Sequence, residues 1–171
     1  MSETLVYKPP MRPPEVFDKG VFSVFLAGSI EMGRARDWQT EVADFLTGSG
    51  HAERFVLFNP RRDDWDSSWE QKREHPAFYE QVTWEMDMLE RSDAILFYFA
   101  PGTKSPISLL ELGLHAASGK VIVCCPDGFW RKGNVDIVCE RYKIPVTTDL
   151  EEALIGVLGV ANGAPMEALF A

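Results

Sequence analysis

Short apolar runs alternate with amphipathic segments from residue 21 onward. The runs are short and rich in β-branched and aromatic residues, which predicts buried strands. They cover residues 21–30, 54–60, 93–101, 120–126 and 144–148. Helical spacing predicts helices over residues 34–50, 80–93, 106–120, 133–143 and 149–162. Strands that are apolar on both faces and alternate with helices indicate an α/β fold. We expect a five-stranded, mostly parallel sheet in a single three-layer domain over residues 21–171, with flavodoxin-like (Rossmann-like) order.

Local signals mark the ends of several predicted helices. They are Gly48 and Gly50 after the first helix, Pro106 in the first turn of the third, Gly119 at its end, and Asp149 as N-cap of the last. In the second helix, Val82, Met86 and Leu89 form one stripe. That stripe predicts the buried face of the helix.

Residues 1–20 differ in character from the rest of the chain. They contain Pro9, Pro10, Pro13 and Pro14 and have no periodic apolar pattern. We expect an extended, proline-rich N-terminal arm there.

Composition and charge exclude several classes of protein. A hydrophobic content of 46% excludes a disordered chain. The 17 Lys and Arg against 26 Asp and Glu give a net charge of -9, so neither nucleic acid nor an anionic membrane surface is an expected partner. No apolar run approaches the roughly 20 residues of a membrane span.

The cysteine and histidine positions indicate a cytoplasmic protein without a metal site. Cys124 and Cys125 are adjacent within an apolar run, as expected for reduced, buried thiols. The three histidines lie far from one another and from Cys139 in sequence. The histidines are His51, His75 and His115. We therefore expect neither a metal nor another cofactor.

Ligands of such sheets bind at the carboxyl ends of the strands, so residues after each strand are candidates. Gly28, Ser29 and Ile30 follow the first predicted strand, and glycine there lets a ligand approach the backbone. Asn59, Arg61 and Arg62 follow the second. The arginines are suited to a phosphate or carboxylate, although pairing with Asp63, Asp64 and Asp66 explains them equally well.

Three carboxylates in helices are further candidates. Glu111 lies among leucines in the third predicted helix, where an ionised group costs free energy unless it is paired or functional. Glu85 and Asp87 precede the third strand. Two carboxyl groups at one site can act as nucleophile and acid, whereas a solvated helix face is the structural alternative for Glu85 and Asp87.

Together these segments resemble the nucleoside 2-deoxyribosyltransferase family over roughly residues 22–148. The similar segments are F-L-A-G-S-I, S-D-A-I-L-F-Y, G-N-V-D and, most specifically, L-L-E-L-G-L-H-A-A-S-G-K. The last resembles the segment that carries the family's catalytic glutamate.

The resemblance implies roles for individual residues. Glu111 would be the nucleophile, and Glu85, eight residues before Asp93, would bind and protonate the leaving base. Ser105, six residues before Glu111, would lie near the sugar 5′ position. Asn134 would contact the sugar bound in a neighbouring subunit, which implies a homo-oligomer whose ligands are nucleosides or nucleotides and free bases.

Three departures from the family pattern bear on the substrate. Phe25 replaces a frequent tyrosine and leaves room for a 2′-hydroxyl, so ribose stays open beside deoxyribose. Glu31 stands where nucleotide hydrolases of the family carry arginine, which argues against a 5′-phosphate. Arg61 and Arg62, within N-P-R-R-D-D-W, argue the other way.

The sequence thus favours an enzyme that breaks an N-glycosidic bond and transfers the sugar to another base. A nucleoside or nucleoside 5′-monophosphate N-glycosidase is the first alternative. A non-catalytic nucleotide-binding module is the second, and a plain flavodoxin-like scaffold the third.

Overall fold

β-strands and α-helices alternate along the computed structural model, which describes residues 4–31, 35–48 and 54–171. The strands are β1 (Leu5–Tyr7), β2 (Val21–Gly28), β3 (Arg54–Phe58), β4 (Ala94–Tyr98), β5 (Val121–Cys124) and β6 (Val146–Thr147). The helices are α1 (Trp38–Gly48), α2 (Pro76–Arg91), α3 (Pro106–His115), α4 (Lys132–Tyr142) and α5 (Leu150–Ala161). Gly50, one of the predicted helix stops, and His51 lie outside the described residues.

All six strands belong to one parallel sheet with the order β1-β3-β2-β4-β5-β6. Without β1, this is the order of a flavodoxin-like sheet, which confirms the predicted fold class. Each parallel neighbour is reached through a helical crossover, as the alternation of patterns predicts.

The predicted number of strands, five, was wrong, because β1 lies within the N-terminal arm. Leu5 pairs in register with Val56, and Tyr7 pairs with Phe58. The Asn59 amide also donates to the Tyr7 carbonyl at 2.9 Å. Three residues are too few for an alternating pattern, so backbone pairing defines this strand and side-chain periodicity does not.

The described residues up to Phe25, together with Trp38–Asp93, form one compact unit. Its core is aromatic, and Trp84 of α2 is fully buried. The Trp84 indole donates to the Met11 carbonyl at 2.9 Å. The arm therefore contacts α2 through a partly buried hydrogen bond.

The predicted buried stripe of α2 was partly wrong. Met86 is 49% exposed, whereas Leu89 is buried as predicted. The buried residues of α2 include Gln81, Trp84 and Met88. Polar Gln81 occupies a core position, so the apolar residues alone indicate the wrong helix face.

Leu26–Asp37 and Ala94–Ala171 form the second unit. Its core consists of the apolar strands β4 and β5 with side chains of α5, among them Leu154 and Val157. Asp149 caps α5 as predicted, accepting a hydrogen bond from the Glu152 amide at 2.8 Å. Pro106 begins α3, also as predicted. Within the described part of the chain, no helix is long and apolar enough to cross a membrane.

Candidate active site

Three hydroxyl groups meet where β2 ends and α3 begins. Ser29 Oγ lies 2.7 Å from Thr103 Oγ1 and 2.8 Å from Ser105 Oγ. It also accepts the Ala100 amide at 2.8 Å. Ser29 and Ser105, which the sequence places 76 positions apart, are thus brought into contact in one buried cluster.

The hydroxyl groups of this cluster form a hydrogen-bond network with the backbone. Thr103 donates its hydroxyl proton to the Ala100 carbonyl at 2.8 Å. Thr103 Oγ1 also lies 3.3 Å from Ser105 Oγ. A hydroxyl has one proton and two lone pairs, so Ser105 can also accept a hydrogen bond.

The Glu31 side chain accepts hydrogen bonds from two backbone amides just before α3. Its Oε1 accepts the Lys104 amide at 2.8 Å and the Ser105 amide at 2.9 Å. Glu31 and Ser105 both have left-handed backbone, with φ of 48° and 47°. Residues other than glycine rarely adopt this backbone conformation. The hydrogen bonds of Glu31 therefore stabilise a loop whose backbone is otherwise unfavourable.

The backbone of Gly28 and Ile30 completes this end of β2. Gly28 has φ of 137°, and its carbonyl accepts the Ser108 hydroxyl of α3 at 2.9 Å. The Ile30 carbonyl accepts the Ala35 amide at 3.1 Å. The predicted turn is therefore anchored directly to α3.

Glu111 lies on α3, six residues or about 1.7 helical turns after Ser105. Its side chain is half-buried. Among its neighbours in sequence, Leu112 is buried, but Leu110 and Leu114 are 60% and 63% exposed. The apolar surroundings that the sequence suggests are thus only partly present.

Glu85 belongs to the other unit, and the pKa of its carboxyl group is strongly perturbed. Its Oε1 accepts a 2.7 Å hydrogen bond from Gln81 Nε2, one turn earlier in α2. Burial raises the pKa of Glu85 to about 7, although the hydrogen bond from Gln81 acts in the opposite direction. A carboxyl group with this pKa exists in both protonation states near neutral pH.

The turn after β3 brings Asn59 and Arg61 together. Asn59 Oδ1 accepts the Arg61 amide at 2.9 Å, and the Arg61 guanidinium donates to Gln39 Oε1 at 3.2 Å. Arg62 pairs with Asp64 at 2.6 Å and Glu80 at 3.4 Å, and its side chain is only 7% exposed. Arg62 therefore forms an ion pair with one of the three aspartates that the sequence analysis named as its alternative partners.

The three remaining predicted site residues are Asp87, Phe25 and Asn134. Asp87 is exposed and pairs with Arg12 at 2.6 Å. Phe25 is fully buried and packs 6.3 Å from Trp84, measured between ring centroids. Asn134 is exposed on α4.

The family model for nucleoside 2-deoxyribosyltransferase-like proteins matches residues 21–129, more than half of the chain. The chain belongs to this family. The matched segment contains Ser29, Glu85, Ser105 and Glu111. No curated protein matches the chain.

Two polar residues near these groups in this nucleoside 2-deoxyribosyltransferase-like protein were not among the predicted site residues. Glu31 stood out only as a departure from the family pattern, and its contact with α3 is not visible in sequence. Gln81 gave no signal beyond its position one turn before Glu85. In the described part of the chain, no cluster of three His, Cys, Asp or Glu side chains is placed to hold a metal ion.

Proposed function

We propose that this protein cleaves the N-glycosidic bond of a nucleoside and transfers the sugar to another base. The observation that carries the proposal is the Glu85 carboxyl, whose pKa of about 7 suits a general acid, in a family member that also has Glu111. The sugar is 2-deoxyribose or ribose, since Phe25 in place of the frequent tyrosine leaves room for a 2′-hydroxyl.

In the proposed first step, the Glu111 carboxylate attacks the anomeric carbon. A bond forms between that carbon and a Glu111 oxygen, while the bond to the base nitrogen breaks and its electron pair leaves with the base. The carboxylate traps the oxocarbenium-like sugar as a covalent ester. Retaining glycosidases hold their two carboxyl groups about 5 Å apart for this chemistry.

Glu85 supplies the proton that the departing base needs. A protonated carboxyl is available at neutral pH because burial favours its neutral form. In the second step, the nitrogen of another base attacks the same carbon and releases Glu111, and the proton of that nitrogen returns to Glu85. Water in place of the base would give hydrolysis.

The surroundings of Ser105 support a nucleoside without a 5′-phosphate. A phosphate needs hydrogen-bond donors, but the Lys104 and Ser105 amides already donate to Glu31. The Glu31 carboxylate would also repel a phosphate in the same place. A sugar 5′-hydroxyl, by contrast, can donate to the lone pairs of Ser105.

An oligomer is the proposed working form. Ile107, Leu110 and Leu114 follow helical spacing on α3 and are 60%, 60% and 63% exposed. Such an apolar face is typical of an interface, and a second copy of the chain is the proposed partner. The exposed Asn134 is then available to a neighbouring site.

Chromatographic product analysis tests the proposed reaction. Deoxynucleosides, ribonucleosides and their 5′-monophosphates are each incubated with the protein, with and without a second free base. A new nucleoside should form only when the second base is present. We expect the 5′-monophosphates to react at least about tenfold more slowly than the corresponding nucleosides. Glu31→Gln removes the repelling charge, so it should reduce this difference in rate.

Glu111→Ala should lower the rate by about a thousandfold or more, because it removes the nucleophile. Glu140→Ala, a change of an exposed glutamate on α4, is the matched control and should leave the rate unchanged. Base released equally without an acceptor would make the protein a hydrolase. No turnover of any substrate would favour the binding-module alternative.

A further inference from the structure

The side-chain amide of Gln81 bridges the turn after β3 and the Glu85 carboxyl. Gln81 is 5% exposed. Its Nε2 donates to the Pro60 carbonyl at 3.1 Å and to Glu85 Oε1 at 2.7 Å. An amide nitrogen has two protons, so both are used.

The Pro60 carbonyl fixes the orientation of this amide. A reversed amide would place Gln81 Oε1 against the carbonyl oxygen of Pro60, and two acceptors would then face each other. In the observed orientation Gln81 Oε1 is buried and has no hydrogen-bond partner among the described residues. A buried oxygen without a partner costs free energy, which makes a purely stabilising role for this amide unfavourable.

A fixed donor on one oxygen determines where Glu85 can hold a proton. Oε1 accepts the hydrogen bond from Gln81 Nε2. A proton bound to Oε1 would lie close to the Gln81 N–H and be repelled by it. We propose that Gln81 is a positioning residue that keeps Glu85 Oε1 as an acceptor and so places the transferable proton on Oε2. The inference rests on the proposed role of Glu85 as the acid.

Charged groups on neighbouring segments of the same unit have other partners. From the turn after β3, Arg61 donates to Gln39, and Arg62 pairs with Asp64 and with Glu80 of α2. On the arm Lys8 pairs with Asp63 and Arg12 with Asp87 of α2. Burial and the bond from Gln81 therefore determine the protonation of Glu85.

The test compares Gln81→Met, which keeps the length of the side chain without its donor, with Thr83→Val on the same helix. The Thr83 hydroxyl donates to the Tyr79 and Glu80 carbonyls of the same helix. NMR titration of carbon-13-labelled glutamate, assigned with Glu85→Gln, measures the pKa of Glu85. We expect Gln81→Met to raise it by about one unit or more, since a bond to the ionised form is lost. Thr83→Val should leave it unchanged, and an unchanged value in Gln81→Met would overturn the inference.

A second readout uses a purine deoxynucleoside and its N7-methylated counterpart, whose cationic base leaves without protonation. Gln81→Met should lower kcat about tenfold or more for the ordinary substrate and little for the methylated one. The pH above which the activity falls should also be higher in Gln81→Met than in the unaltered protein. An equal loss on both substrates would mean a general structural role and contradict the inference.

The two experiments separate failure of this inference from failure of the proposed function. If Glu85→Gln loses activity on neither substrate, the proposed acid is wrong. The NMR titration still reports whether Gln81 sets the protonation of Glu85.

Discussion

Gly28 fits its position because it lacks a side chain. Its φ of 137° is strained for other residues, and an added Cβ would overlap the Tyr98 carbonyl. Gly28→Ala should therefore lower the free energy of unfolding by on the order of 3 kcal/mol or more, as measured by denaturant titration. Since the Gly28 carbonyl accepts Ser108 of α3, the displacement should also lower activity through the helix that carries Glu111.

Gly102→Ala is the matched control for this prediction. Gly102 also has positive φ, 74°, but an added Cβ there meets no atom within 4 Å. Gly102→Ala should lower the free energy of unfolding by only about 1 kcal/mol, which is the cost of the backbone conformation. Equal losses in the two variants would show that the Tyr98 carbonyl does not restrict position 28.

At the scale of the elements, α2 is held by the N-terminal arm, which the sequence predicts only as an extended segment. β1 pairs with β3, and the arm beyond it contacts α2 through Met11 and Arg12. Arg91, in the last turn of α2, donates to the Pro14 carbonyl and packs over Phe17. The arm thus fixes the helix that presents Glu85.

Periodicity predicted the elements with long patterns and not those defined by tertiary contacts. β2 to β5 and the five helices have apolar patterns long enough to identify. β6 has only two residues, Val146–Thr147, and lies within the strand predicted over residues 144–148. β1 has three residues and exists through pairing with β3. In α2, Met86 is exposed and Gln81 is buried. The Gln81 side-chain nitrogen donates to Pro60 and Glu85, which are contacts that periodicity does not predict.

The same limit applies to the candidate site. Ser29 and Ser105 could be predicted because they flank strand ends and resemble family motifs, and the structure places them in contact. Glu31 and Gln81 could not, because their partners lie on other segments that only the fold brings near. Arg62 was ambiguous in sequence, and its ion pairs with Asp64 and Glu80 were decided by the packing of the turn after β3.

At the scale of the whole molecule, the half-buried Glu85 carboxyl couples stability to pH. Its pKa is raised from 4.5 to about 7 on folding, so the folded state holds this proton more tightly than the unfolded state. The associated stability is present below about pH 4.5 and is lost as pH rises to 7. Above that pH, ionised Glu85 costs up to about 3 kcal/mol.

Glu85→Gln should therefore gain stability over the unaltered protein as pH rises from about 5 to 8, by up to about 3 kcal/mol. Denaturant titrations at a series of pH values measure this difference. Glu140→Gln removes the same charge from an exposed position, and its stability relative to the unaltered protein should not rise in this way. A constant difference for Glu85→Gln would mean that Glu85 titrates normally.

Mass spectrometry of the protein mixed with a nucleoside, without a second base, tests the role of Glu111 most directly. Rapid acid quenching and peptide mapping should locate a pentosyl ester on Glu111, and adding a free base should remove it and yield a new nucleoside. Glu111→Gln should form neither the ester nor the product. Continued base release by Glu111→Gln, or an ester on another residue, would contradict the proposed mechanism.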